Sequence, residues 1–281
     1  MLLEMAIGDA YGAAFEFMPD DFLVRENDLS AYKRNPETGL GDGRYTDDTQ
    51  MALAIAEHLL EGGAFHAESL AERFVTTFKR DPRRGYSKRL YEVLRTSNDG
   101  SDFLAAIAPV SDRSGAAMRV SPIGLLPDIK QVLNLAERQA AITHDTPSGR
   151  TSAQAIAAMV HYLAYGLGPR GDLGRFIEAH VPGHPWSGIW TGRADMAGLS
   201  CAHAAISLVQ SATSLSGLLR DAIALGGDTD TVAAMAMFSG SLCRDITRDL
   251  PQVLHDGLEN AAYGRDTLRD LDARLRLSLF G

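Results

Sequence analysis

Two acidic pairs constrain this chain more than any other feature, because each stands at the head of an apolar helical run. Tyr45-Thr46-Asp47-Asp48-Thr49-Gln50 is followed by Met51, Leu53, Ile55, Leu59 and Leu60. Gly226-Gly227-Asp228-Thr229-Asp230-Thr231 is followed by Val232, Ala233, Met235, Met237 and Phe238. A helix N-terminus carries partial positive charge and favours anions, so either pair alone reads as ordinary capping. Two pairs converging in a folded core would be different: four like charges repel, and buried unpaired carboxylates are costly. Two divalent cations would neutralise Asp47, Asp48, Asp228 and Asp230 one for one. Carboxylate and hydroxyl oxygens, without Cys or His, are the donors that hard cations such as Mg²⁺ or Mn²⁺ accept. Convergence is the assumption that the tertiary structure must test.

The rest of the chain suits a helical globule. Its 281 residues are ample for a core, and 45% apolar with 22% charged residues is ordinary for a soluble protein. With 27 basic against 36 acidic residues the net charge is −9, which disfavours general binding to nucleic acid or anionic membranes. Cys201 and Cys243 are far apart and lack metal-motif spacing, so they read as small core residues in a reducing compartment. Met1-Leu2-Leu3-Glu4-Met5 has no basic signal-peptide start, and no apolar run approaches bilayer-spanning length. The expected location is cytoplasmic, with no membrane partner.

Apolar periodicity predicts helices from Asp47 to about Glu61, Ala67 to Phe78, Tyr86 to Leu94, Val132 to Ile142 and Thr151 to Tyr165. Further helices are expected over Cys201 to Ser211, Ser216 to Leu225, from Thr231 onward, and Leu268 to Leu279. Residues 19–45 read as a loop, and 166–200 as a Gly- and Pro-rich connection in which Trp186 and Trp190 either pack or cover a cleft. Gly39-Leu40-Gly41-Asp42-Gly43-Arg44 matches no dinucleotide fingerprint and reads as a flexible approach to Thr46. Arg83 and Arg84 read as a solvated basic turn rather than a pyrophosphate site. Strand-like alternation is scarce, and no repeat or interdomain linker breaks the chain.

Gly8-Asp9-Ala10-Tyr11-Gly12-Ala13-Ala14-Phe15-Glu16, Thr46-Asp47-Asp48-Thr49 and Gly226 to Thr231 together resemble the motifs of the ADP-ribosylglycohydrolase family. Ser114-Gly115-Ala116-Ala117-Met118-Arg119 is similar to that family's Asn-Gly-x-x-Met-Arg segment, with Ser114 in place of Asn. The resemblance runs over essentially the whole chain, in order. It implies an all-α fold, a single compact orthogonal multi-helix domain over 1–281 with a binuclear metal cleft. It implies that Thr46, Asp47, Asp48 and Asp230 hold one Mg²⁺ or Mn²⁺, and Asp228, Asp230 and Thr231 a second. Glu16 and Asp48 become the candidates for assisting proton transfer. Ser114, Gly115, His144 and Gly149 become candidate substrate contacts, and Arg119 a structural tie.

The implied reaction is hydrolysis of the bond between ADP-ribose and an acceptor, foremost arginine on an ADP-ribosylated protein. O-linked ADP-ribose (serine, O-acetyl-ADP-ribose), nucleic-acid-linked ADP-ribose, a catalytically silent ADP-ribose binder and a di-metal phosphohydrolase are the alternatives. The eight histidines form no zinc-protease pattern, and neither a Gly-x-Ser-x-Gly elbow nor a P-loop appears. Oligomeric state is left open.

Overall fold

The computed structural model describes residues 1–280. Among them the helices are α1 (Leu2–Gly12), α2 (Asp20–Glu26), α3 (Asp47–Leu60), α4 (Ala67–Arg80), α5 (Lys88–Thr96), α6 (Gly100–Ala106), α7 (Gly115–Met118) and α8 (Ile129–Ala141). They continue as α9 (Pro147–Tyr165), α10 (Leu173–His180), α11 (Gly198–Ser211), α12 (Leu215–Leu225), α13 (Thr229–Gly240), α14 (Gln252–Gly257) and α15 (Arg265–Phe280). No strand forms among the described residues, only isolated bridges such as Ala194 with Gly227. None of these helices is long and apolar enough to cross a membrane.

The architecture is all-α, built around α13. Every residue of Thr229–Gly240 is buried, as a run of apolar and small side chains with no polar face requires. α1 is its principal neighbour and is buried everywhere except at Glu4. Small residues let the two backbones touch. A Cβ on Gly8 would lie 2.6 Å from the Ala233 carbonyl oxygen, and one on Gly12 would lie 2.6 Å from Asp230 Cα. α3 is buried from Asp47 to Ala56, and the Ala-rich face of α9 packs on α11 and α8. The outer helices α4, α5, α8 and α10 are amphipathic, with an apolar stripe inward and charges outward.

Several boundaries differ from the sequence expectation, each for a local reason. The stretch 19–45 is not all loop: Pro19 leads into α2, whose first turn carries Asp20 and Asp21 and which buries only Leu23. A seven-residue helix with one buried side chain leaves too little periodicity to read. α6 begins at the Ser97–Gly100 turn, where Asp99 accepts a hydrogen bond from the Asp102 amide. α10 lies inside the Gly- and Pro-rich connection. α9 starts at Pro147, not Thr151: Thr146 Oγ1 caps the Gly149 amide, and proline occupies the first turn. Trp186 is wholly buried and donates its indole N–H to the Val181 carbonyl, so packing is its role.

Arg83 is also a correction. It is buried rather than solvated, ion-paired to Glu259 and Asp81, with its guanidinium 3.7 Å from the Tyr45 ring centroid. Glu259 accepts the Tyr45 amide as well, at 3.1 Å. These bonds fasten the approach to α3 onto the segment before α15.

Candidate functional site

The heads of α3 and α13 could each have been capped by their own acids. The cap positions themselves, Thr46 and Asp228, make no side-chain capping bond, although Asp230 Oδ1 accepts the Thr231 amide at 3.0 Å. Asp9 of α1 does that work for α3 instead. Wholly buried, it accepts the amides of Thr46 and Thr49 at 2.9 to 3.0 Å, and their hydroxyls at 2.9 and 2.6 Å. With the first turn satisfied from outside, Asp47 and Asp48 are free to face a cavity. The capping reading therefore fails for the α3 pair.

On the other side, Gly226 and Gly227 have φ of 68° and 86°, a turn that L side chains rarely follow. Its backbone is pinned by the Asp228 amide, which donates to the Ala194 carbonyl at 2.8 Å. Phe17, at φ 54°, donates its amide to the Gly227 carbonyl at 2.9 Å, so the turn carrying Glu16 is tied to the turn carrying Asp228. One oxygen each of Glu16, Asp228 and Asp230 then lies within 4.8 Å of the others. Asp47, Asp48 and Thr231 share the same cavity, of about 460 Å³. Gly85, at φ 106°, sits so close to Asp47 Oδ1 that no side chain fits there.

Crowding of this kind is costly without a counter-charge. Burial pushes the carboxyls of Asp47, Asp48 and Asp230 well above the usual range, and neighbouring carboxylates push them further. Glu16 is pushed up to about 7, first by burial and then by Asp228 and Asp9. Asp48 Oδ1 is buried and has no hydrogen-bond partner. A sealed carboxylate oxygen of this sort, within an all-oxygen donor set, fits a hard divalent cation. The acidic cluster can thus hold metal.

The remaining expected residues divide. Ser114 lines the cavity, and its hydroxyl donates to Asp228 Oδ2 at 3.1 Å; Cys201 Sγ lies 3.4 Å from the same oxygen. Gly115 and His144 line the cavity too. Thr46 and Gly149 are not among its walls. The Thr46 hydroxyl is shared between Asp9 and Asp48, while Gly149 lies beneath His144, where a Cβ would approach the His144 Cβ to 2.7 Å. Asp9 is likewise outside, its oxygens consumed by α3. Arg119 is wholly buried, donating to Gln139 Oε1 at 2.6 Å, the Gln139 carbonyl at 2.9 Å and Thr143 Oγ1 at 2.8 Å.

Sequence reasoning missed the outer half of the cavity. Leu90, Ile107, Val110 and Met196 give it apolar walls, and Arg89 and Arg113 give it positive charge. Neither arginine has a carboxylate partner among the described residues. These residues come from α5, the segment before α7 and the segment before α11, and no local motif joins them. The cavity is therefore lined by buried carboxylates and by two exposed arginines.

A family model described as ADP-ribosylglycohydrolase matches residues 1–278. ADP-ribosyl-(dinitrogen reductase) glycohydrolase of Rhodospirillum rubrum is 28% identical, over 98% of this chain and 94% of that protein. ADP-ribosylhydrolase ARH3 of Xenopus tropicalis is 33% identical over 63% of this chain and 53% of its own length, so the match spans about half of that relative. ADP-ribosylarginine hydrolase Tri1 of Serratia proteamaculans is 25% identical over 59% of this chain and 46% of its own length. A solved structure, an ADP-ribosylglycohydrolase-related protein complex, shares the fold with a TM-score of 0.76 at 24% identity, covering 98% of this chain and 94% of that one.

Proposed function

The chain belongs to the ADP-ribosylglycohydrolase family, and from that premise we propose that it hydrolyses the glycosidic bond joining ADP-ribose to an acceptor, foremost arginine on a protein. The observation that carries this reading is the meeting of Asp47 and Asp48 from α3 with Glu16, Asp228 and Asp230 in one cavity. A relative named as an ADP-ribosylarginine hydrolase supports arginine as the acceptor.

Two Mg²⁺ or Mn²⁺ ions would be held by Asp47, Asp48, Asp228 and Asp230, with Thr231, while Thr46, whose hydroxyl is bonded to Asp9 and Asp48, would brace Asp48 from behind; the ions would supply charge neutralisation and a grip on sugar hydroxyls. The chain's own groups do the rest. Glu16, half-buried with its carboxyl pushed up to about 7, can hold or release a proton near neutral pH, and Asp48 is the second candidate for that task. The surrounding carboxylates favour positive charge developing on the ribose as the bond breaks. Arg89 and Arg113, exposed on the wall of the same cavity, would favour the diphosphate. A reducing, cytoplasmic setting fits two buried free cysteines.

The test is a panel of arginine-, serine- and nucleic-acid-linked ADP-ribose substrates, each with Mn²⁺ and with chelator, followed by product analysis. Free ADP-ribose released only with metal is expected. AMP would instead mark a phosphohydrolase, and an unchanged ligand a binder. Alanine at Asp47 or Asp230 should abolish turnover while the protein stays folded; full turnover in either variant at saturating metal would overturn the assignment.

A further inference from the structure

The wall that carries His144 contains a polar chain that the proposed reaction leaves unexplained. Arg119, wholly buried and held to Gln139 through its Nε, donates from Nη2 to Thr143 Oγ1 at 2.8 Å. Thr143 Oγ1 lies 2.6 Å from His144 Nδ1. Thr143 and His144 are both buried, so each bond in this chain counts.

The order of donors follows from their chemistry. A guanidinium can only donate, so Thr143 Oγ1 must accept from Arg119. Its own proton then has one acceptor in reach, His144 Nδ1. Any other arrangement strands a buried hydroxyl proton, at the cost of an unmade hydrogen bond. Accepting at Nδ1 places the ring proton of neutral His144 on Nε2. Nε2 has no hydrogen-bond partner in the protein and is not sealed off from the cavity that His144 lines. Gly115, another wall residue, lies along that edge: a Cβ there would sit 2.9 Å from Cε1 and 3.1 Å from Nε2 but 4.0 Å from Nδ1.

We propose that Arg119 and Thr143 are positioning residues that lock His144 as the Nε2–H tautomer, making it a fixed, uncharged donor to an oxygen of the bound ligand. Burial, with Arg119 nearby, pushes the imidazole down to about 3, which agrees with a ring that stays neutral through the working range. A neutral donor suits a site already crowded with carboxylates, because it adds direction without adding charge. The tautomer itself follows from the protein alone; the ligand oxygen rests on the ADP-ribose reading above.

Histidine side-chain ¹⁵N–¹H correlation spectra of the full chain at pH 7 test the first part, with His144→Asn supplying the assignment. The unaltered protein should show His144 as Nε2–H, Thr143→Ser should keep that pattern, and Thr143→Val should lose it. Calorimetry with ADP-ribose tests the second part. Thr143→Val should bind about tenfold more weakly, the scale of one lost hydrogen bond, and Thr143→Ser within about threefold of the unaltered protein. An Nδ1–H signal in the unaltered protein overturns the proposal, as does Thr143→Val with unchanged tautomer and affinity. Should Thr143→Val fail to fold, the spectrum of the unaltered protein still decides. Nε2–H without any ADP-ribose binding would instead sink the ligand reading and leave the tautomer standing.

Discussion

Placing alanine at Gly12 forces α1 and α13 apart at the point where α13 presents Asp230. The added Cβ would lie 2.6 Å from Asp230 Cα, 2.7 Å from the Thr229 carbonyl oxygen and 2.8 Å from the Asp230 amide nitrogen, where ordinary contact begins at 3.4 Å. All three atoms are backbone, so no rotamer change relieves the overlap. The helices must separate by about 0.8 Å, the difference between 2.6 and 3.4 Å. Overpacking on this scale costs about 1–3 kcal/mol, which for a chain of this size lowers the melting temperature by roughly 2–5 °C. The same displacement carries Asp230, with α13, away from Glu16 at the end of the α1 segment. A misplacement near 1 Å reduces turnover by about a hundredfold. Thermal melts and initial rates on an ADP-ribosylated substrate measure the two effects side by side. Gly171→Ala is the control, because nothing lies within 4 Å of its Cβ. If Gly12→Ala melted and turned over like Gly171→Ala, the close helix contact would not be what positions the site. A lower melting temperature with full turnover would keep the packing argument and refute the positional one.

Asp9→Asn should destabilise the protein by roughly 2–4 kcal/mol in urea titrations, because a side-chain amide cannot accept at both oxygens the bonds that Thr46 and Thr49 now donate; a loss under about 0.5 kcal/mol would contradict its capping role. Arg83→Leu leaves the partly buried Glu259 without its ion-pair partner and should cost about 1–3 kcal/mol by the same measurement. For pH, Glu16 and Asp9 have folded-state carboxyls raised to about 7 and about 6. A raised carboxyl keeps a proton that the unfolded chain has released, so its stabilising effect is complete below about pH 4 and is lost as pH rises through 6 to 7. The gain in melting temperature on adding Mn²⁺ to chelator-treated protein should therefore grow between pH 4.5 and 7; a gain that is flat or shrinks would count against the coupling of charge and metal.

Much of the cavity's acidic cluster was legible because it is written in short, contiguous words. Thr46 to Gln50 and Gly226 to Thr231 each put carboxylates at the head of a helix, and the helices themselves follow from apolar spacing that depends on neighbours three and four positions away. The all-α class, the main helices and the acidic pairs are properties of that local pattern. The outer half of the cavity is of another kind. Arg89, Arg113, Leu90 and Met196 come from separate segments and meet only when the chain folds, so nothing in their own neighbourhoods marks them. Arg83 read as solvated because its partner, Glu259, lies far along the chain. Asp9 and Asp48 look alike in sequence, yet packing gives one four hydroxyl and amide donors and leaves the other with a sealed, unpartnered oxygen. Sequence alone determined which residues head the helices and carry charge, because helix formation is a local property. Which of those charges cap, which pair and which face the cavity was decided by tertiary packing, because solvation and hydrogen-bond partners come from segments distant in the chain.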